Sequence, residues 1–280
     1  MRWTNHDDAF WVIHKKYICA INFLMQKYFI YLGFTYGLLS CNLFSKNDEA
    51  AFTTLLVDSQ SNESDSANRL ENQVLAPDTL ELRLISLGLI DVQSINPHII
   101  VDLKYSTEDN FMKTNVYGSL NRAYLQQKPA EMLGKAQELL SARDSNLYLL
   151  VYDAVRPVWV QWKMWNLLDS IPVSKRVNFV SNPKNKSVHN YGAAVDLTIC
   201  DAAGKPLDMG EGFDDPRPIA HPSKEAHFLS TGLLTQEQVN NRRLLREVMK
   251  KAGFRNLDTE WWHFNAMSRD EAKKMYQPVP

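Results

Sequence analysis

Apolar and polar residues change rhythm several times along this chain, and the changes mark out its elements. From Ala194 to Cys200 the two kinds alternate. Val195, Leu197 and Ile199 fall on one side and Ala194, Asp196 and Thr198 on the other, as in a strand with one face on a core. Leu147 to Tyr152 is an unbroken apolar run with the length of a buried strand, and it delivers Asp153 to Arg156 at its end. Pro97 followed by His98 to Val101 reads as a further strand, and Leu80 to Leu89 as a short helix or strand. Met132, Leu133, Ala136, Leu139 and Leu140 give a helical stripe over 130–143, with Gly134 as its weak point. A second stripe, Val239, Leu244, Leu245, Val248 and Met249, follows a capping-box pattern at Thr235 to Gln238 and stops at Gly253. Trp159, Trp162 and Trp165 lie three apart, a spacing of helix packing rather than of a sugar-binding stripe. Residues 174–186 and 201–213 read as loops, the charges of the first as solvated.

Composition shifts once, near residue 70, so the 280 residues read as one folded domain behind a leader. Tyr28 to Leu39 is an apolar run behind Lys27, too short to span a membrane and right for a signal-peptide core. It ends at Leu38-Leu39-Ser40-Cys41, which looks like a bacterial lipobox with an atypical Leu in second place. Cys41 is therefore the expected lipidation site; the alternative is an ordinary secretory signal. Met25-Gln-Lys27 makes a conventional signal start, so translation is expected to begin there. The segment 45–73, rich in Ser, Asn, Asp and Glu, reads as a tether. The expected organisation is a leader over 1–41, a tether over 42–75 and a domain over 76–280. That places the protein in a bacterial cell envelope as a periplasmic or membrane-anchored lipoprotein, or else secretes it. Apart from the lipid no membrane contact is expected. A net charge of -1 without a basic tract gives no sign of nucleic-acid binding. The three cysteines have neither disulfide nor thiolate-zinc spacing.

The chemistry begins at Ser187-Val-His-Asn-Tyr-Gly-Ala-Ala-Val-Asp196. His189 precedes Gly192, where the chain is free to turn back toward Asp196. Glu260-Trp-Trp-His263 follows much later. Catalytic zinc takes three ligands from His, Asp or Glu and keeps a fourth position open, so His189, Asp196 and His263 complete such a set and leave Glu260 as a base. Taken one at a time, each residue is better explained as a hydrogen-bonded or surface imidazole, a turn residue or an ion-pair partner. A difficulty also stands: Glu260 and His263 are three apart and would face opposite ways in an ideal strand, unless a bulge intervenes or Glu260 sits at an irregular entrance. Arg156, held extended before Pro157, suits an ion pair with Asp153 or a donor to an oxyanion.

These motifs together resemble the zinc D-alanyl-D-alanine dipeptidases of the VanX type, in the superfamily that also holds D,D-carboxypeptidases and the hedgehog signalling domain. The resemblance runs in order through Asp102-Leu-Lys-Tyr-Ser-Thr, Tyr152-Asp-Ala-Val-Arg-Pro157, the His189–Asp196 segment, Asp208-Met-Gly with Phe213-Asp214, and Glu260-Trp-Trp-His263, over about 96–265. It implies an α+β domain, single and compact, with a central antiparallel sheet flanked by helices. It also implies one Zn2+ per chain on His189, Asp196 and His263, Glu260 as general base and Arg156 as oxyanion donor. Ser187, Asp214 and Tyr105 are implied as the substrate-binding residues, and a small dipeptide as the substrate. The alternatives are a D,D-carboxypeptidase on cell-wall muropeptides and a non-enzymatic zinc module.

Overall fold

The computed structural model describes residues 77–280; the leader, Met25, Cys41 and the tether lie outside the described residues. In chain order the elements are α1 (Pro77–Ser86), β1 (Ile90–Asp91), α2 (Val92–Ile95), β2 (Ile100–Val101), β3 (Tyr124–Leu125), α3 (Gln127–Ser141), β4 (Tyr148–Asp153), α4 (Val158–Leu167), α5 (Val173–Arg176), β5 (Ala194–Cys200), α6 (Glu225–Ser230), α7 (Gln236–Lys251), β6 (Arg255–Asn256), β7 (His263–Asn265) and α8 (Arg269–Met275). Five strands make the main sheet in the order β2-β4-β5-β7-β6, and β1 pairs with β3 in a separate ribbon. The expected α+β architecture is present, with one correction: β2 runs parallel to β4, so the sheet is antiparallel except at that edge. A parallel pair needs a long crossover, and the segment carrying β3 and α3 supplies it.

The alternation in β5 is real, but the strand is buried on both faces, not one. Val195, Leu197 and Ile199 enter the main core with Leu133, Ala136 and Leu140 of α3 and Leu245, Val248 and Met249 of α7. On the other face Ala194 packs with Val188, Tyr191 and Met267, and Cys200 with Leu150 and Tyr152. Loops cover that second face, which the strand's own pattern does not reveal. Asp196 is accordingly buried.

The capping box at Thr235 forms as expected, with Thr235 Oγ1 accepting from Gln238 N. Arg242, within that helix, is fully buried and donates to the carbonyls of Met209 and Ile219, tying a loop to α7 in a structural role. Gly134 is required rather than weak: a Cβ there would lie 2.6 Å from Ile95 Cγ2, so its absence lets α2 press against α3. The tryptophan spacing misleads in part. Trp165 is buried, but Trp159 and Trp162 are each 37% exposed, because each step of three winds back about 60° around α4.

Gly192, behind the short 3-10 turn Val188–Tyr191, has φ of +64°. A Cβ there would meet Leu89 Cδ2 at 2.7 Å. Gly192→Ala is expected to cost about 1–3 kcal/mol from left-handed strain plus overpacking. Urea unfolding of the full chain reads this; unchanged stability would contradict the turn as described.

Candidate metal centre and cleft

Three strands place their functional residues in one row. Asp153 of β4 is the cross-strand partner of Asp196 in β5, and Asp196 is the partner of His263 in β7. Direct partners on neighbouring strands present side chains on the same face. A register irregularity between Val151 and Asp153 keeps Asp153 in the row. The exit of β4 is then laced to the loop before β5. Arg156 N donates to His189 O, Asn190 Nδ2 donates to Arg156 O, and His189 Nδ1 donates to Ala154 O at 2.6 Å.

That last bond fixes the imidazole, leaving the Nε2 lone pair of His189 facing the row. Nε2 lies 3.3 Å from Asp196 Oδ1 and 3.2 Å from His263 Nδ1, and His263 Nδ1 lies 2.9 Å from the same carboxylate oxygen. His263 Nε2 donates to Asn265 Oδ1 at 3.0 Å, so its Nδ1 also points inward. A tetrahedral ion with bonds of about 2.0–2.1 Å has ligand edges of about 3.3 Å, close to this triangle. The donor set therefore fits zinc: two nitrogens and one oxygen, all three side chains buried, each imidazole aimed by an acceptor behind it. Burial opposes the charge of Asp196, but His189 and His263 outweigh it and hold the carboxylate well below its usual range. Burial likewise opposes the charge of His263; Asp196 overcomes it and pushes the imidazole up to about 9. The cluster thus attracts one positive charge at neutral pH, and a metal binding there displaces a proton.

Glu260 stands apart from the triangle. It lies ahead of β7 in irregular chain, which resolves the three-residue spacing in favour of a strand entrance rather than a bulge. Its Oε2 is 3.9 Å from His263 Nδ1 and its side chain is 41% exposed to the cleft. Burial in the cleft wall is the main cause that pushes its carboxyl up, with Asp196 adding and His263 and His189 opposing.

Arg156 makes the ion pair with Asp153. Nε and Nη2 donate to Asp153 Oδ2 at 3.1 and 2.5 Å, while Nη2 stays 3.8 Å from Asp196. Tyr117 Oη completes the anchor on Asp153 Oδ1 at 2.6 Å. Arg156 lines the cleft, a cavity of about 940 Å³, together with His189, Asp196, His263 and Glu260. Tyr105, Ser187 and Asp214 line it too. Tyr105 Oη donates to Asp214 Oδ2 at 2.7 Å, and Ser187 Oγ donates to Gln161 Oε1 at 2.9 Å.

Several contributors were not legible beforehand. Lys186 and Asn178 line the cleft, which corrects the reading of 174–186 as merely solvated. His221 lies outside the triad and also lines the cleft. Asn265 had a signal, since it sits two positions after His263 and so on the same side of a strand. Tyr117 had none.

The family model described as D-ala-D-ala dipeptidase matches residues 85–278. The D-alanyl-D-alanine dipeptidase of Escherichia coli (strain K12) is 34% identical over 176 residues, 63% of this chain and 83% of that protein. That of Enterococcus faecium is 33% identical over 201 residues, 67% of this chain and 94% of that protein. That of Streptomyces coelicolor is 31% identical over 183 residues, with coverage of 58% and 83%.

Asp214 generates a stability prediction. Burial pushes its carboxyl well above the usual range, Tyr105 and Arg156 pull it back, and Asp196 adds to the rise. A carboxyl raised in the fold binds its proton more tightly folded than unfolded, so it destabilises progressively as pH climbs past the unfolded value of about 3.9. Asp214→Asn keeps an acceptor for Tyr105 and removes that titration. It is expected to raise the urea midpoint at neutral pH and leave it nearly unchanged near pH 4. Destabilisation at neutral pH, or an equal shift at both, would contradict the assignment.

Proposed function

Since the chain belongs to the D-ala-D-ala dipeptidase family and is a metallopeptidase of D-alanyl-D-alanine, we propose that it cleaves this dipeptide with one zinc ion held by His189, Asp196 and His263. The observation that carries the metal reading is the convergence of three acceptor atoms, 2.9–3.3 Å apart, from two imidazoles and one carboxylate. When bound, zinc supplies Lewis acidity, which makes a neighbouring water acidic near neutral pH and polarises a carbonyl.

The chain's own residues supply the rest. Glu260 is close enough to share the site and too far from the triangle to be needed as a ligand. Its raised pKa suits it to accept the proton of the attacking water and return it to the leaving amine. Arg156 is fixed by Asp153 and turns its guanidinium to the oxyanion, a contribution on the order of 3 kcal/mol for a well-placed donor. Asp214 and Ser187 receive the ammonium of the dipeptide, with Tyr105 orienting Asp214. The Ser187 hydroxyl donates to Gln161, so it meets the ammonium as an acceptor. Cys41 carries the lipid that anchors the domain in the cell envelope, a reading supported by the leader's sequence.

Glu260→Ala is expected to abolish release of D-alanine while metal analysis still finds one zinc per chain. Loss of the metal would make Glu260 a ligand. Arg156→Ala should lower kcat by roughly 100- to 1000-fold with a smaller rise in KM; the reverse pattern would assign it to ground-state binding. Comparing dipeptide with a muramyl pentapeptide separates this reading from a carboxypeptidase, and no release from either leaves only a binding module.

A further inference from the structure

Among the described residues three other than glycine adopt positive φ: Lys113, Lys186 and Asp214. Two of them, Lys186 at +54° and Asp214 at +64°, line the cleft, and they carry opposite charges. Left-handed backbone at such residues costs on the order of 1 kcal/mol or more and persists where the surroundings over-determine it, most often at working sites.

The charged groups of the cleft can be matched with partners. Arg156 is held by Asp153, and Asp215 by Arg217. Asp214 is held by Tyr105. Glu260 lies beside His263. Lys186 is half-buried and its ammonium makes neither an ion pair nor a hydrogen bond with another described residue; its only such contact is backbone, from its N–H to Pro183 O at 3.3 Å. Arg269, the remaining cation of the wall, is exposed. A dipeptide is a zwitterion, and the assignments above leave its carboxylate without a partner.

We propose that Lys186 binds the C-terminal carboxylate of the dipeptide, so that the two charged residues held at positive φ take the two ends of the substrate. The assignment rests on the dipeptidase reading. A partly desolvated ammonium gains more from a carboxylate than an exposed one, which favours Lys186 over Arg269.

The test compares D-alanyl-D-alanine with its C-terminal amide, using zinc-loaded full-length protein. Wild type is expected to prefer the free acid by roughly 10- to 100-fold in kcat/KM, the usual range for a charged hydrogen bond. Lys186→Met should lose that preference through KM on the acid, with kcat and the amide little changed, and Lys186→Arg should keep most of it. Lys186→Gly should lose the preference without a lower unfolding midpoint, because glycine meets no penalty at this φ. Equal losses on both substrates, a preference that survives in Lys186→Met, or a wild type that does not distinguish them would overturn the proposal. A wild type that cleaves neither would bring down the dipeptidase reading itself, and this assignment with it.

Discussion

Two carboxylates sit directly opposite each other on neighbouring strands in the middle of the protein. Asp153 is fully buried and Asp196 is 3% exposed. Like charges in that arrangement repel, and each buried carboxylate costs several kcal/mol unless it is answered by charge and hydrogen bonds. The surrounding structure supplies both. Arg156 turns back from the end of β4 to grip Asp153, and the loop before β5 folds His189 over Asp196 while β7 brings His263 to its other side.

Separating these roles gives the cleft its chemistry. Asp153 has no reach to a metal triangle because Arg156 and Tyr117 occupy it, yet through Arg156 it fixes a cation at the cleft wall. Asp196 shares one oxygen between two imidazoles whose far nitrogens are tied to Ala154 and Asn265, so the rings cannot turn their lone pairs away without losing those bonds. Glu260 stands outside the row, on chain that has not yet entered the strand, which leaves a carboxylate near the centre but uncommitted. Cleft walls made of loops then contribute charge of both signs, Asp214 and Lys186 among them.

Much of this was legible in the sequence where local pattern decides the outcome. The alternation of β5, the apolar run of β4 and the capping box of α7 follow from period and cap chemistry, and their limits come within a few residues. The three candidate ligands were legible because their types and spacings suit a metal, although what joined them across the chain was a resemblance. What pattern could not carry was tertiary. Nothing local marks β5 as covered on both faces, β2 as parallel, or Trp159 and Trp162 as exposed, because each depends on what a distant segment does. The conflict over Glu260 and His263 arose from extending strand geometry past the point where the strand begins. Lys186 was hidden because backbone conformation is not written in residue type.

The convergence of His189, Asp196 and His263 on a single ion is tested most directly by a zinc K-edge absorption spectrum of the purified protein. The expected spectrum shows nitrogen and oxygen donors at about 2.0–2.1 Å, with outer-shell scattering from two imidazole rings and no sulfur. A thiolate shell near about 2.3 Å, scattering from fewer than two imidazoles, or no stoichiometric metal in a folded and active protein would contradict it.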